Sequence, residues 1–130
     1  MQLNVTTDYA IRIVLHLMQK KGVANSNEIA DAMGIPRNYI LKITKTLKEA
    51  GILNEKRGID GGFVLSGDPD QLTLLDIVSA LERTVNINRC LEEDEYCSRD
   101  AVSYCKVREL LVKLQSELAR GLNVKVMEFL

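Results

Sequence analysis

The chain has 130 residues, 46% of them hydrophobic and 5% aromatic, with 17 basic against 18 acidic side chains and a net charge of −1. That length suits one domain, or one compact domain with an appendage, and suffices to bury a core without staples. Ordinary apolar content and the absence of repeats exclude a low-complexity or solenoid chain, and the balanced charge argues weakly against nucleic-acid binding until its distribution is read.

At the N-terminus, Met1-Gln2-Leu3-Asn4 carries no basic region followed by an apolar run. No secretory signal is expected, and the apolar stretches are too short to cross a bilayer. A cytoplasmic location with reduced thiols follows as the expectation.

Residues 7–21 read as a helix, since Tyr9, Ile13 and Leu17, with Ala10, Val14 and Met18, recur at helical spacing. Thr6, Thr7 or Asp8 supplies the N-cap, and Lys20-Lys21-Gly22 the stop. His16, the only histidine, is expected on the surface of this helix. Residues 26–33 form a short second helix with Ser26 at its cap and Ile29, Ala30 and Met33 inward. Gly34-Ile35-Pro36 is a tight turn, with Pro36 in the first turn of a third helix over 37–50. There Ile40, Ile43, Leu47 and Ala50 share one face, Lys42, Lys45 and Lys48 fall largely on the other, and Gly51 ends the helix.

The pattern then switches to period two. Residues 52–56 and 63–65 read as short strands around Arg57-Gly58-Ile59-Asp60-Gly61-Gly62, a hairpin tip with glycines where the backbone needs freedom. Ser66 to Asp70 is a loop. Thr73 opens a helix to about Glu82, with Asp76 three residues on as a capping-box partner. Residues 85–97, polar and acidic, read as a loop. A long helix runs from Ser98 or Arg99 to about Arg120, with Gly121 as its stop. Its apolar seam is Val107, Leu111, Leu114 and Leu118, widened by Leu110 and Leu122. So regular a seam in so small a chain predicts pairing with a second copy, ahead of simple cover for the core.

Helix, helix, turn, helix, hairpin is the winged helix-turn-helix order. The expected fold is mainly α with a small β-hairpin wing. Residues 1–66 would be a DNA-binding domain, and 67–130 a sensor loop (about 85–105) and dimerisation helix. Local charge supports the head: residues 37–57 carry Arg37, Lys42, Lys45, Lys48, Lys56 and Arg57 against Glu49 and Glu55. Arg37, Asn38 and Tyr39 occupy the first turn of the third helix, where a recognition helix meets base edges, and Lys42 and Lys45 follow one and two turns on. Ser26 in the second helix, with Arg57 and Gly58 in the wing, completes the candidate DNA-binding set. A basic helix face is also common as mere solvated surface, so the order of elements carries more than the charge.

All three cysteines, Cys90, Cys97 and Cys105, fall within sixteen residues after that head. Clustered cysteines in a reducing compartment are metal ligands or redox sensors more often than disulfides, and an odd count leaves one over in any disulfide framework. Soft iron sites take thiolates, and three leave one position for a further ligand. Zinc with a fourth carboxylate ligand is the second reading, a thiol–disulfide switch the third, and inert thiols the last. A small redox enzyme finds no support: there is no Cys-x-x-Cys, no Gly-rich phosphate loop and no histidine near the thiols.

Thr7 to Arg12, Ile29-Ala30, Ile35-Pro36, Tyr39 to Ile43, the Arg57-Gly58-Ile59-Asp60-Gly61-Gly62-Phe63-Val64-Leu65 wing and Leu74 to Leu81, followed by the cysteine triplet, together resemble the winged-helix regulators that include IscR, NsrR, RirA and CymR. The resemblance covers essentially the whole chain, with the wing its most specific piece. It implies a homodimeric transcription regulator, mostly a repressor, on a palindromic double-stranded operator. It further implies an iron–sulfur cluster on the three cysteines, 4Fe–4S favoured over 2Fe–2S. The Cys-x6-Cys-x7-Cys spacing is nearer the NsrR-like members, and IscR-like members carry a histidine where this chain has Arg108. NsrR-like members resemble this chain at Asp8, an acidic residue that reaches the cluster of the partner subunit; a helix-start carboxylate favoured by the helix dipole is an equal reading of Asp8. Nitric oxide is the first signal implied. The alternative is a cluster-free regulator of the CymR kind, tied to sulfur metabolism and controlled by thiol oxidation or a partner protein.

Overall fold

The computed structural model describes all 130 residues. Five helices and one hairpin follow in the order α1 (Val5–Lys20), α2 (Ser26–Met33), α3 (Arg37–Glu49), β1 (Leu53–Lys56), β2 (Gly62–Leu65), α4 (Leu74–Leu81) and α5 (Lys106–Leu122). The expected winged helix-turn-helix with a long C-terminal helix is the observed fold. One apolar cluster holds it together. Ala10, Ile13, Val14 and Leu17 of α1 meet Ile29 of α2, Ile40, Ile43 and Leu47 of α3, Leu53 and Phe63 of the hairpin, Ile77 of α4 and the C-terminal Val126. Each element buries one stripe, as its period demands, so removing any one exposes the others.

The hairpin pairs antiparallel, Leu53 opposite Leu65 and Lys56 opposite Gly62. Ala24 adds a third edge, exchanging backbone hydrogen bonds with Phe63 at 3.0 and 2.8 Å. This contact explains Gly62, whose φ is 154° and where a Cβ would lie 2.4 Å from the Ala24 carbonyl oxygen. No other residue fits so close to a neighbouring backbone.

Several boundaries differ from the sequence expectation. Helix α1 starts at Val5, and none of Thr6, Thr7 or Asp8 caps it. The acceptor comes from far along the chain. Glu82, just past α4, takes hydrogen bonds from the Asn4 backbone N–H (2.9 Å), the Asn4 side-chain amide (2.8 Å) and the Thr7 hydroxyl (2.9 Å). A carboxylate there satisfies orphan donors and suits the positive end of the helix dipole. The α2 cap is Asn25, which accepts from the Glu28 N–H, and Ser26 is the first helical residue. Pro36 sits at the N-cap of α3, and Ala50 at its other end is exposed rather than core. His16 is not free surface: its ring pairs with Glu28 of α2 at 2.6 Å and is only 17% exposed. Hydrogen bonds from Lys20 first, then His16, hold the Glu28 carboxyl below its ordinary value.

The largest correction concerns α5. It begins at Lys106, not at Ser98 or Arg99, and ends at Leu122, so Gly121 lies inside it. Asp100 turns left-handed (φ 51°), its N–H donating to the Cys97 carbonyl, and this turn carries Ala101 into full burial. A helix through Asp100 would pull Ala101 out. The Arg89–Leu91 stretch is a single three-ten turn rather than irregular loop, as are Pro69–Gln71 and Val126–Phe129. The Thr73–Asp76 capping box forms as read, at 2.9 and 3.1 Å.

Thr7 is fully buried, so losing Glu82 strands its hydroxyl, while the exposed Asn4 donors pass to water. Glu82→Ala should therefore cost about 1–3 kcal/mol of unfolding free energy at unchanged m-value, read by urea titration. A loss under about 0.5 kcal/mol, the range of an ordinary surface change, would show that the link is not structural.

Candidate functional site

Two groups of residues stand out, at opposite ends of the chain's charge pattern. The first is the outer face of α3. Burial of Ile40, Ile43, Thr44 and Leu47 fixes the helix roll, and Asn38, Lys42 and Lys45 are left on the solvent side. The Thr44 hydroxyl escapes being an orphan by donating to the Ile40 carbonyl at 2.7 Å. The other two residues of the first turn are engaged within the protein. Arg37 donates to Asn27 and to Asp31 (2.9 Å), tying α3 to α2 across the turn. Tyr39 is half-buried, its ring edge-on to Tyr9 of α1 with centroids 5.2 Å apart. Arg57 and Gly58 lie exposed at the hairpin tip, Gly58 with a φ of 113°, and Ser26 is partly exposed in the first turn of α2. The charge pattern does not single out Leu41, which is 66% exposed on the same outer surface of α3.

The second group is the cysteine segment. Cys90, Cys97 and Cys105 are free thiols of intermediate exposure. All three line one open cavity of about 400 Å³, walled also by Tyr96, Arg108 and Leu111. No three His, Cys, Asp or Glu side chains converge closely enough to hold a metal ion. The surroundings of the sulfurs nonetheless suit thiolate ligands. Cys90 Sγ accepts from the Asn88 amide at 3.2 Å, and Cys105 Sγ from the Arg108 backbone N–H at 3.4 Å. Backbone N–H groups of Ala101 and then Arg99 hold the Cys97 thiol below its ordinary value. Hydrogen bonds to sulfur of this kind accompany thiolate-held clusters and tune them. The donor chemistry of the three sulfurs thus suits thiolate ligation of a soft metal group, while the thiols lie open rather than closed on a centre.

The acidic residues of this loop stay largely exposed to solvent, and several of them are also clasped by neighbouring side chains. Arg89 grips both oxygens of Asp94 and lies 5.1 Å over the Tyr96 ring. That guanidinium holds the Asp94 carboxyl down to about 2. Hydrogen bonds from Thr84 and then Asn86 lower Glu92. Arg108 does the most: its Nε donates to the Cys90 carbonyl at 3.3 Å and its Nη2 reaches Glu95 at 3.4 Å. Standing in the first turn of α5, it joins the first cysteine to the last.

Asp8 does not line the cysteine cavity. Within one chain it pairs with Arg12 at 2.6 Å, and Arg12 also donates to the Met33 carbonyl (3.2 Å) and stacks over Tyr9. Beyond the cavity, α5 has no buried residue, and Val107, Leu110, Leu114 and Leu118 are exposed at 65, 57, 44 and 39%. No helix is long and apolar enough to cross a membrane.

Comparison with known proteins matches residues 3–128 to the model of the Rrf2 family, described as iron-dependent transcriptional regulators. The protein slr0846 of Synechocystis sp., named as an HTH-type transcriptional regulator, is 32% identical over 120 residues, 91% of this chain and 82% of its own. CymR of Bacillus subtilis is 28% identical over 77% of this chain and 74% of its own. NsrR of Bacillus licheniformis is 27% identical over 89% and 82%. Among solved structures, CymR of B. subtilis superposes with a TM-score of 0.78 over 98% of this chain and 94% of its own at 24% identity. T. potens IscR does so at 0.76 over 98% and 84% at 18% identity. At those identities the two structures speak for the fold alone.

Arg108 is the one side chain that bridges both ends of the cysteine segment. Arg108→Ala should speed hydrogen exchange of the amides over 88–97 by about tenfold, with α1 amides unchanged. Equal protection in the two proteins would mean that the clasp does not hold the segment.

Proposed function

The chain belongs to the Rrf2 family of iron-dependent transcriptional regulators, and from that premise we propose a homodimeric repressor whose affinity for a palindromic operator is set by an iron–sulfur cluster. The family is one of transcriptional regulators, not of enzymes. Cys90, Cys97 and Cys105 would hold the group, with Asp8 of the partner subunit as fourth ligand and 4Fe–4S favoured over 2Fe–2S. The observation that carries this reading is the single cavity lined by all three thiols, with the first turn of α5 in its wall. When bound, the cluster supplies a centre that nitric oxide, oxygen or iron shortage modifies or removes, nitric oxide being the signal proposed first.

The chain's own residues do the reading. Helix α3 enters the major groove, where Asn38 pairs with base edges and Lys42 and Lys45 neutralise phosphates. Arg57 and Gly58 bring the wing tip to the flanking backbone, and Ser26 meets a phosphate from the start of α2. Arg37 and Tyr39 support the helix from its first turn; Arg37 reaches DNA only by releasing Asp31. The residues 1–66 act as the reading head, and α5 spaces two such heads by laying its exposed seam on a second copy. Cys105 caps α5, so strain at the thiols bears directly on the turn where that seam begins. A coupling of about 1–3 kcal/mol between thiol state and DNA affinity would make a useful switch.

One observation favours a second reading. Cys97, its thiol lowered by backbone N–H groups, is partly exposed and suited to oxidation, which would make a cluster-free regulator driven by thiol chemistry or a partner protein. Zinc on the same ligands is the second metal. Protein purified without oxygen separates these readings. Iron and sulfide in near-equal number, with a broad visible absorption, is the expected result, and Cys97→Ala should lose both the colour and the control of DNA affinity. A colourless protein, with Cys97→Ala binding DNA as the wild type does, would overturn the cluster and leave the cluster-free regulator.

A further inference from the structure

Leu41 has no structural task. It lies on the outer surface of α3, 66% exposed, while the apolar side of that helix is completed by Ile40, Ile43 and Leu47 at 0%. A single exposed leucine on a helix is unremarkable by itself. Its position is what matters. Asn38, Leu41, Lys45 and Lys48 succeed one another at spacings of three, four and three, so they form one line along the helix. Leu41 thus stands between the residue suited to base reading and two lysines suited to phosphates. Beneath it a cleft of about 250 Å³ opens between α3 and the hairpin, with Phe63 at its floor and Lys48 drawn to Glu55 at 3.8 Å. A cationic surface with one aliphatic side chain at its centre fits a polyanion that offers one apolar group.

In the major groove that group is unique. Among the base-pair edges exposed there, only thymine's C5-methyl is apolar. We propose that Leu41, three residues along α3 from Asn38, is a specificity residue that packs on a thymine methyl in the bound site, close to the base pair met by Asn38. The inference rests on the DNA-binding reading and adds to it a base identity. Leu41 gains burial only against thymine: against cytosine or a purine edge it covers a polar group it cannot pair, so the discrimination runs in one direction.

The test begins with duplexes selected from a random pool by the full-length wild-type protein. Each thymine of the selected site is then replaced singly by deoxyuridine, which removes the methyl and nothing else. At one or more positions the wild type should lose about fourfold in affinity, the loss expected for one methyl-sized group returned to water. Leu41→Ala, an exposed substitution that leaves the core untouched, should bind thymine and deoxyuridine alike at that position. A selected site in which no methyl matters, or a Leu41→Ala protein that still senses it, overturns the inference while leaving DNA binding intact. Failure of the wild type to enrich any sequence overturns both.

Discussion

A seventeen-residue helix with no buried residue is the constraint on which the rest of this molecule turns. Helix α5 carries leucines at the spacing that seeks a partner, yet within one chain it meets chiefly α4 and the three-ten turn at Arg89–Leu91. Apolar surface of that regularity is a free-energy cost until something covers it. The proposed second copy covers it and, in the same act, fixes the separation of two reading heads. Cys105 is the residue from which α5 starts, its Sγ accepting from the Arg108 backbone N–H.

The head is organised around α1 in a similar way. Its inward stripe forms the centre of the core, and several outward residues meet a neighbour: Arg12, held by Asp8, meets the Met33 carbonyl, Tyr9 the Tyr39 ring, and His16 the Glu28 carboxylate. These contacts set the orientation of α2 and α3. Glu82 ties the start of α1 to the end of α4, immediately before the chain departs toward the cysteines. The start of α1 is thus held by the residue that precedes the 83–105 segment.

Much of this fold is legible in the chain because the signals are local. The stripes of α1 and α3, the capping box at Thr73 and the paired glycines of the hairpin depend on neighbours in sequence. The features that escape depend on distant ones. The α1 cap cannot be read because its carboxylate lies 75 residues beyond Thr7. The start of α5 escapes because Ser98 to Cys105 carries no Gly or Pro to stop a helix, and the burial of Ala101 with the left-handed Asp100 decides otherwise. The ion pairs of the acidic loop escape because Arg89 and Arg108 become its partners only after the segment folds back on α5. His16 reads as free for the same reason. The cysteines are legible as a group, whereas their common cavity is not. Leu41 carries no signal of its own, because its exposure depends on the roll of α3 that the core sets.

The claim most open to direct trial is that the seam of α5 is an interface. Sedimentation equilibrium of the reduced protein at micromolar concentration, beside a Leu114→Glu variant, measures it without any assumption about metal or DNA. The wild type should sediment as a dimer and the variant, with its core intact by circular dichroism, as a monomer. A wild-type monomer at those concentrations, or a variant that stays dimeric, would contradict the role given to α5 and with it the route from thiols to reading heads.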